Sequence, residues 1–300
     1  MLTKSKTLVS VIIINYNTFT LTSNCIRSVI NHTHGVDYEI IIVDNASTES
    51  NPELFLSEFP SVILVKSAVN GGFAYGNNLG IQRATGNYIL LLNSDTILTE
   101  DTITKSISFF KSQNVVGVLG CRMIYPDNRV QYTARRFRSI SWELLDFFRF
   151  IPMLLPYEKR SKKMLGKYFR HDKNIECDWV NGAFFLMTRE VIEKLPKKKL
   201  DDRFFMYGED QLWCEQISSL GYKILFFAES TIIHISSAST TLSKHLSLRK
   251  IMMDNELTIM RLRKGTGFYY YTFKVIYVLK ETIRNFIKSL VYQFTGRMIR

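Results

Sequence analysis

The sequence predicts an α/β protein with a mostly parallel sheet flanked by helices. Short apolar runs rich in β-branched residues alternate with segments whose apolar residues recur at helical spacing. Several runs end abruptly in polar residues, as buried parallel strands do at their carboxyl ends. With 300 residues and 46 % hydrophobic content, the chain is long enough to cover both faces of such a sheet.

Four strands are predicted in the first part of the chain, with a helix over 21–30 after the first. The strands cover 8–14, 38–43, 62–65 and 88–92. Polar residues follow three of them: Asn15 and Tyr16 the first, Asp44 and Asn45 the second, and Asn93, Ser94 and Asp95 the fourth. Right-handed crossovers would bring Asp44 and Asp95 to one edge, where open α/β sheets bind ligands.

The triplet Asn93-Ser94-Asp95 is the most informative of these strand ends. A carboxylate beside an amide oxygen and a hydroxyl suits Mg²⁺ or Mn²⁺, ions that usually arrive with substrate phosphates. Asp95 at the start of a turn or as the cap of the next helix is an equally good interpretation of this stretch alone.

A glycine-rich loop precedes the fourth strand. Gly71 and Gly72 lie in the segment 70–80, which predicts a loop that approaches a ligand closely before a helix. The segment lacks the spacing of a dinucleotide fingerprint or a Walker loop, and a plain turn explains it equally well.

The remaining predicted elements in chain order are a helix over 99–113, strands over 115–123 and 130–133, a resumed sheet over 177–187, a helix over 189–194, a helix from about 209 to Gly221, and a strand over 222–227. Glu209 and Asp210 open the helix that ends at Gly221, where carboxylates serve either chemistry or the helix dipole. His234 follows two isoleucines, and a lone histidine there is more often structural.

The net charge of +12 is concentrated in two segments. Residues 132–173 contain eleven Lys/Arg against four Asp/Glu, and residues 261–300 contain nine against one. Both are rich in aromatic residues, a composition that suits an anionic membrane surface or nucleic acid. The first segment, an insertion over about 135–173, is either mobile and lies against a membrane or acceptor, or packs on the body as an amphipathic hairpin.

The last segment predicts an amphipathic helix. Its apolar stripe includes Ile276, Ile283 and Leu290, while Lys280, Arg284 and Lys288 form a basic row. This pattern predicts a helix on an anionic membrane face. The alternative is that the stripe packs on the body or on a second subunit of a homodimer.

Cysteine usage and hydropathy limit the cellular setting. The four cysteines are scattered without a C-x-x-C pair, so neither a structural zinc site nor a disulfide framework is predicted, and a reducing cytosol fits. No secretory signal and no membrane-spanning run is recognised. We therefore expect a cytoplasmic protein that is peripheral on the inner face of the cell membrane.

In this order the motifs resemble family 2 glycosyltransferases of the GT-A fold, and in particular bacterial rhamnosyltransferase-like enzymes that extend surface polysaccharides. The resemblance is carried by 11–17, 43–47, 70–72 with Asn77-Asn78, 91–95, 181–183, 204–210 and His234. It implies a GT-A domain over 1–236 that includes the insertion. Residues 237–300 would then be a C-terminal helical extension that associates with the membrane.

The resemblance also implies roles for individual residues. Donor binding falls to Asn15, Tyr16, Asp44, Asn45, Gly71, Gly72, Asn78, Asn93 and Ser94; the metal ligands are Asp95 and His234; the catalytic base is Asp210, with Glu209 as its rival. Asn93 replaces the first Asp of the family's D-x-D motif, which leaves one carboxylate there. Leu212 and Gln216 stand where relatives commonly carry an acidic residue and an arginine.

The predicted function is an inverting glycosyltransferase dependent on Mg²⁺ or Mn²⁺. Its donor would be dTDP-rhamnose or a UDP-sugar, and its acceptor a lipid-linked glycan in surface polysaccharide biosynthesis. A nucleic-acid-binding protein is a second hypothesis, disfavoured because the basic segments lie outside the sheet and no nucleic-acid-binding motif is recognised. A non-catalytic relative that binds nucleotide sugars is a third, motivated by Asn93.

Overall fold

The structure is a computed structural model that describes residues 8–236 and 242–295. Parts of the predicted C-terminal extension, 237–241 and 296–300, lie outside the described residues. The chain divides into two compact units: the first contains residues up to Arg136 together with Leu165–Ser236, and the second contains Phe137–Met164 and the residues after Ser236.

The predicted α/β class is confirmed. The strands are β1 (Leu8–Asn15), β2 (Asp37–Asp44), β3 (Ile63–Lys66), β4 (Tyr88–Asn93), β5 (Thr96–Leu98), β6 (Val116–Ile124), β7 (Ala134–Arg135), β8 (Ile175–Cys177), β9 (Trp179–Val180), β10 (Phe184–Thr188) and β11 (Lys223–His234). The helices are α1 (Phe19–His32), α2 (Leu54–Glu58), α3 (Phe73–Arg83), α4 (Thr102–Ser112), α5 (Ile140–Phe147), α6 (Phe150–Met153), α7 (Tyr157–Met164), α8 (Arg189–Lys194), α9 (Glu209–Ser219), α10 (Leu242–Lys264) and α11 (Phe268–Thr295). Short 3₁₀ helices cover Gly166–Tyr168 and Pro196–Lys198.

Within the described residues, nine strands form one sheet in the order β3-β2-β1-β4-β10-β6-β11-β5, with β8 paired to β11. The pairs β1–β2, β1–β4, β2–β3 and β6–β11 are parallel, whereas β10 runs antiparallel to both β4 and β6. The strands β1, β2, β4 and β11 therefore end at one edge of the sheet, and β10 begins at that edge.

Helices cover both faces of the sheet, which explains the continuous apolar runs of its central strands. On one face, Val11 and Ile13 of β1 pack with Cys25 and Ile26 of α1. On the other, α3 lies so close to β1 that a Cβ on Gly80 would meet the side chain of Ile12 at 2.4 Å. The side chains of the central strands β1 and β4 are therefore almost all buried, and these strands form a rigid base for the loops at their ends.

Two predicted elements differ from the structure. The helix after Asp95 begins at Thr102 rather than Thr99, because residues Thr96–Leu98 form β5 against β11 and the Asp101 side chain caps α4 by accepting from the Thr104 amide at 3.2 Å. The predicted strand over 130–133 is reduced to a bridge between Ile124 and Val130.

The second unit is helical. Its core contains Met260 of α10 with Phe273 and Tyr277 of α11, against which Ile140 of α5 packs. The amphipathic helix predicted in the tail forms the greater part of α11. None of the helices in the described part of the chain combines the length and apolarity needed to cross a membrane.

The basic row predicted on the tail does not face outward along its whole length. Lys280 is only 1 % exposed and forms ion pairs with Glu143 and with Asp146, the latter at 3.1 Å. Arg284 bonds to the same Asp146 carboxylate at 2.6 Å and to Glu281 at 3.2 Å. Two of the three residues of the row are therefore neutralised inside this unit.

Candidate functional site

The candidate site lies in the first unit, at the edge where β1, β2, β4 and β11 end. The register places Asn15 opposite Asp44 on β1 and β2, and Ile14 opposite Asn93 on β1 and β4. His234, the last residue of β11, pairs with Thr96 of β5. The fold thus brings the predicted donor and metal residues to a common edge, as their positions at strand ends require.

A buried hydrogen-bond network joins the first two strand ends. Asn15 donates to Asp44 Oδ1 at 2.8 Å and to Ser47 Oγ at 3.0 Å, and the Ser47 amide donates to Asp44 Oδ2 at 3.1 Å. The Asn15 side-chain oxygen accepts from Thr22 at 2.9 Å. Both oxygens of Asp44 therefore accept hydrogen bonds that fix these loops. Only the remaining lone pairs of Asp44 are left for its predicted contact with a nucleobase.

Tyr16 differs from its neighbours because its ring is exposed, with 47 % of the residue accessible. The next residue, Asn17, has φ = 52° and bonds through its side chain to the Thr48 amide at 2.8 Å. This contact ties the loop after β1 to the loop after β2. Tyr16 is consequently held on a braced loop and presents an aromatic face at the strand edge.

The glycine-rich loop approaches protein backbone. Gly72 has φ = 87°, and a Cβ there would lie 2.2 Å from the carbonyl oxygen of Phe205. Asn45, which is buried, donates to the Gly72 oxygen at 3.1 Å and to the Asn70 side chain at 2.9 Å. Gly72 is therefore explained by its contact with the segment before α9, a cause that the sequence analysis did not consider. Asn45 and Gly71, whose amide donates to the Asn45 side chain at 3.3 Å, share this loop.

Asn78 also bonds to backbone. Its amide nitrogen donates to the Leu200 oxygen at 2.9 Å, and its oxygen accepts from the Leu200 amide at 3.0 Å. This buried pair fixes the start of the segment that leads to Glu209. The geometry gives Asn78 a positioning role for that segment.

Asp95 and His234 form the centre of the site. Oδ1 of Asp95 lies 3.3 Å from Nε2 of His234, and Oδ2 accepts from the Ser236 amide at 3.0 Å. Although burial acts in the opposite direction, the hydrogen bond and charge of His234 lower the pKa of Asp95. The neighbouring Ser94 accepts from the Thr18 hydroxyl at 3.3 Å, which joins the triplet to the loop after β1.

Gln131 holds His234 through two hydrogen bonds. Its amide nitrogen donates to the His234 carbonyl oxygen at 2.6 Å, so its side-chain oxygen faces Nδ1 at 2.8 Å. Nδ1 must therefore carry a proton, and in the neutral imidazole the lone pair is on Nε2. The Asn93 amide nitrogen, 3.4 Å from Nε2, is placed to donate to that lone pair.

The Asp95 oxygen and the His234 ring nitrogen fit a divalent cation. A carboxylate oxygen and an imidazole lone pair that face each other at 3.3 Å need a positive charge near both, either a proton or a metal ion. Oxygen and nitrogen are ligands that Mg²⁺ and Mn²⁺ accept. Among the described residues no group of three or more His, Cys, Asp or Glu side chains is arranged to hold a metal, so Asp95 and His234 would leave most coordination positions to diphosphate and water.

The pair Glu209-Asp210 opens α9 beside this edge. The Gly182 amide donates to Asp210 Oδ2 at 3.1 Å, and the Gln211 amide donates to Oδ1 at 2.8 Å. Burial raises the pKa of Asp210 in spite of these bonds. Among the described residues, Oε2 of the buried Glu209 has no hydrogen-bond partner. Burial together with the Asp210 charge raises the pKa of Glu209 to about 8.

Backbone hydrogen bonds connect the two halves of the site. The Asn93 amide donates to the Ala183 oxygen at 3.1 Å, and Gly182, the residue before Ala183, donates to Asp210. Gln131 was missed by the sequence analysis, since a lone glutamine in a short predicted strand carries no chemical signal. Gly182 was included only as part of a motif, without a role.

The fold and the site define the class of protein. A mostly parallel sheet with polar residues at its strand ends, the antiparallel strand β10 between β4 and β6, and flanking helices is the GT-A architecture of glycosyltransferases. Residues 10–195 match the profile of Glycosyl transferase family 2. The chain belongs to glycosyl transferase family 2.

Three known proteins illustrate the similarity. O-antigen biosynthesis protein RfbC of Myxococcus xanthus is 25 % identical over 218 residues, which cover 71 % of this chain and 16 % of RfbC. The chain thus spans a small part of that relative. The structure is similar to mannosyltransferase PcManGT of Pyrobaculum calidifontis in complex with GDP-Man and Mn²⁺, with a TM-score of 0.61, 14 % identity, and coverage of 98 % of this chain and 77 % of that one. S. aureus TarS in complex with UDP gives a TM-score of 0.53 and 13 % identity over 88 % of this chain and 68 % of that one.

Proposed function

We propose that this chain is an inverting, metal-dependent glycosyltransferase that moves a sugar from a nucleotide-diphosphate donor to a glycan acceptor. The observation that carries the proposal is the placement of the Asp95–His234 pair and of Asp210 at one sheet edge, connected through Asn93, Ala183 and Gly182. Sugar transfer from a nucleotide needs both groups, one for the diphosphate and one for the acceptor hydroxyl.

The donor would lie along the ends of β1, β2 and β4. The exposed Tyr16 ring supports stacking on a nucleobase, and the hydrogen bonds of Asp44 to Asn15 and of Asn45 to Gly72 fix the loops at the same sheet edge. Donors of the dTDP-rhamnose or UDP-sugar type are proposed. The UDP in the TarS structure and the GDP-Man in the PcManGT structure support the nucleotide-sugar class.

Asp95 and His234 would hold Mg²⁺ or Mn²⁺, and a bound ion would offset charge on the departing diphosphate. Gln131 keeps Nε2 of His234 aimed at Asp95. Asn93 has a neutral amide at the position that resembles the first Asp of the family's D-x-D motif, so the triplet supplies one negative charge here. This arrangement supports an ion that is held mainly together with the donor.

Asp210 would act as the base. Its carboxylate accepts the proton of the acceptor hydroxyl while that oxygen bonds to the anomeric carbon, and the bond from this carbon to the diphosphate oxygen breaks on the opposite face. The raised pKa of Asp210 suits proton transfer near neutral pH. Glu209, with its pKa raised to about 8, would remain protonated beside it.

The acceptor is proposed to be a growing glycan on a lipid carrier in surface polysaccharide biosynthesis. The name of the O-antigen relative supports this class of product. We propose residues 1–236 as the catalytic part. The insertion within them and the C-terminal helices form one unit, with Ile140 packed against Met260, Phe273 and Tyr277, and we propose that this unit keeps the enzyme on the cytoplasmic face of the membrane.

A panel of nucleotide sugars tests the proposal. Thermal stabilisation by one donor, larger with Mg²⁺ or Mn²⁺ than without, is expected. Transfer from that donor should give a product whose anomeric configuration, measured by NMR, is inverted. A product of retained configuration would contradict the mechanism, and stabilisation without transfer or donor hydrolysis would indicate a non-catalytic relative.

A further inference from the structure

A run of apolar side chains stands exposed on the second unit. We name this run the aromatic tip; it contains Phe147, Phe148, Phe150, Ile151, Met153 and Leu154, at the end of α5 and on α6. Leu154 is 81 % exposed and Phe150 66 %. The Phe148 ring makes edge contacts with Phe147 and Phe150 at centroid distances of 5.0 and 6.3 Å. Six adjacent large apolar residues in water are costly unless something covers them.

In the second unit, most acidic side chains are buried and most of the described basic side chains are not. Of its six Asp and Glu residues, four are buried: Glu143, Asp146, Glu256 and Glu281. Among the basic side chains that the structure describes in this unit, Lys280 alone is buried. Its outer surface is therefore more positive than its composition indicates.

Ion pairs between helices explain why the acidic side chains are buried. Lys280 and Arg284 of α11 pair with the acidic residues of α5, and Arg138 bonds to Glu143 at 2.8 Å and to Glu256 at 3.3 Å. These contacts turn the acidic side chains of α5 inward. The exposed residues of the same segment include the aromatic tip, followed along the chain by Lys159 and Lys163.

We propose that the aromatic tip and the lysines of α7 form a surface that docks on an anionic lipid bilayer. Apolar side chains would enter the boundary between headgroups and acyl chains, while Arg149, Lys159 and Lys163 attract the lipid charge. The inference rests on the proposed function only in its purpose, since docking would keep the enzyme at the membrane that carries a lipid-linked acceptor. It assigns docking to α5–α7, because the basic row of α11 is largely engaged inside the unit.

Charge complementarity favours a bilayer over a second copy of the chain. Two copies of a positive surface would repel each other, whereas anionic lipids neutralise it. The contiguous phenyl and aliphatic side chains also match hydrocarbon better than they match the polar backbone of nucleic acid.

Sedimentation of the full chain with vesicles tests the proposal. We expect binding to phosphatidylcholine vesicles that contain phosphatidylglycerol, weaker binding to phosphatidylcholine alone, and a decrease with added salt. The double variant F150E/L154E should lower the affinity at least about tenfold, because each side chain loses its apolar burial and repels the lipid. Lys159→Ala and Lys163→Ala should each lower it about fivefold.

Two control variants make the result specific. Leu54→Glu changes an exposed leucine of α2 in the first unit, and Val275→Glu changes an exposed residue of α11; both should bind vesicles as the parent does. Loss of binding with Val275→Glu and none with F150E/L154E would overturn the proposal in favour of α11. A parent dimer that F150E/L154E converts to monomer, with no vesicle binding by either protein, would also overturn it.

Transfer to a soluble acceptor separates this inference from the proposed function. F150E/L154E should retain parental transfer to a soluble glycan while it fails to bind vesicles. If no nucleotide sugar supports transfer but vesicle binding still depends on the tip, the docking surface stands and the proposed reaction fails.

Discussion

The Gly182 amide donates a hydrogen bond to Oδ2 of Asp210 at 3.1 Å. Gly182 is the residue before Ala183, whose oxygen receives the Asn93 amide. One loop between β9 and β10 therefore fixes both the carboxylate proposed as the base and the triplet that contains Asp95. The effect of a mutation on Asp210 can be distinguished from an effect on Asp95 by measuring sugar transfer and nucleotide-sugar binding separately.

Asp210→Asn should lower the transfer rate by about 10²–10⁴-fold, the usual contribution of a general base. The asparagine oxygen can still accept from Gly182, but its NH₂ group then faces the Gln211 amide. The free energy of unfolding should therefore fall by about 1–3 kcal/mol, while donor affinity changes little. Donor affinity by calorimetry and transfer rates on the same sample give the two readouts. Asp202→Asn, which removes an ion pair with Lys199, is the matched control and should keep parental turnover; near-normal turnover of Asp210→Asn would exclude it as the base.

Glu209→Gln should remove a pH dependence of stability. In the unfolded chain this carboxyl ionises near 4.5, whereas in the folded protein its pKa is about 8. The folded state binds more protons in this interval, so stability falls as pH rises from about 4.5 to about 8. The amide cannot ionise, so the variant should be more stable than the parent above pH 8 by several kcal/mol, since each pKa unit corresponds to about 1.4 kcal/mol.

Urea unfolding at several pH values measures the Glu209→Gln effect. The two proteins should differ least near pH 4.5 and most above pH 8. Glu193→Gln, on α8, is a control that should leave the parental pH dependence unchanged. A Glu209→Gln variant that lost stability at high pH would show that the ionised carboxylate is the form the fold stabilises.

The sequence was most informative where an element is determined locally. Runs 8–14, 38–43 and 88–92 became β1, β2 and β4 because central parallel strands are buried on both faces and read as continuous apolar runs. Their polar ends then met at one edge because parallel strands share direction. The antiparallel β10 between β4 and β6 could not be foreseen, since an apolar run does not encode strand direction.

Contacts between distant residues explain the rest. Gln131 meets His234 across 103 positions, and nothing in the local sequence marks a glutamine as the partner of a histidine. Helical spacing identified the basic row of α11 correctly. It could not show that Glu143 and Asp146, more than a hundred residues earlier, would neutralise Lys280.

Gln131→Leu should weaken Mn²⁺ binding in the presence of nucleotide diphosphate about 10–100-fold, the usual effect of losing an outer-shell partner of a metal-bound histidine. Nucleotide binding without metal should be unchanged, because Gln131 contacts neither Tyr16 nor Asp44 in the described structure. Calorimetric titration with Mn²⁺ gives the affinity, and ¹⁵N NMR of the imidazole reports which nitrogen of His234 carries the proton.

A conservative variant makes the Gln131 test specific. Gln131→Glu keeps an oxygen for Nδ1 of His234 but loses the donor to the His234 carbonyl oxygen, so its Mn²⁺ affinity should lie between those of the parent and of Gln131→Leu. Gln113→Leu at the end of α4 should have no effect. If Gln131→Leu bound Mn²⁺ as tightly as the parent, with the same imidazole spectrum, Gln131 would not orient His234.

Gly72→Ala should destabilise the first unit strongly. The backbone at Gly72 has φ = 87°, and the added Cβ would lie 2.2 Å from the Phe205 oxygen, so both strain and a clash with backbone result. Gly221→Ala separates these causes, because Gly221 has φ = 88° with open space around the added atom. In urea unfolding, Gly221→Ala should lower the free energy of unfolding by about 1 kcal/mol, from the backbone conformation alone. Gly72→Ala should lower it by at least twice as much. Equal losses would show that the segment containing Phe205 moves away from the added Cβ.

Lys280→Met should destabilise the second unit by roughly 3–5 kcal/mol, because it leaves Glu143 and Asp146 buried without their shared cation. The size of the methionine side chain preserves packing against Tyr277, so the loss reports the charge rather than a cavity. Lys274→Met, at an exposed position of the same helix, should change stability by less than about 0.5 kcal/mol. Adding Glu143→Gln and Asp146→Asn to Lys280→Met should restore much of the loss. The excess of buried negative charge then disappears, while Arg138 and Arg284 keep their pairs with Glu256 and Glu281. If the triple variant were no more stable than Lys280→Met in urea unfolding, the buried ion cluster would not be what holds α5 against α11.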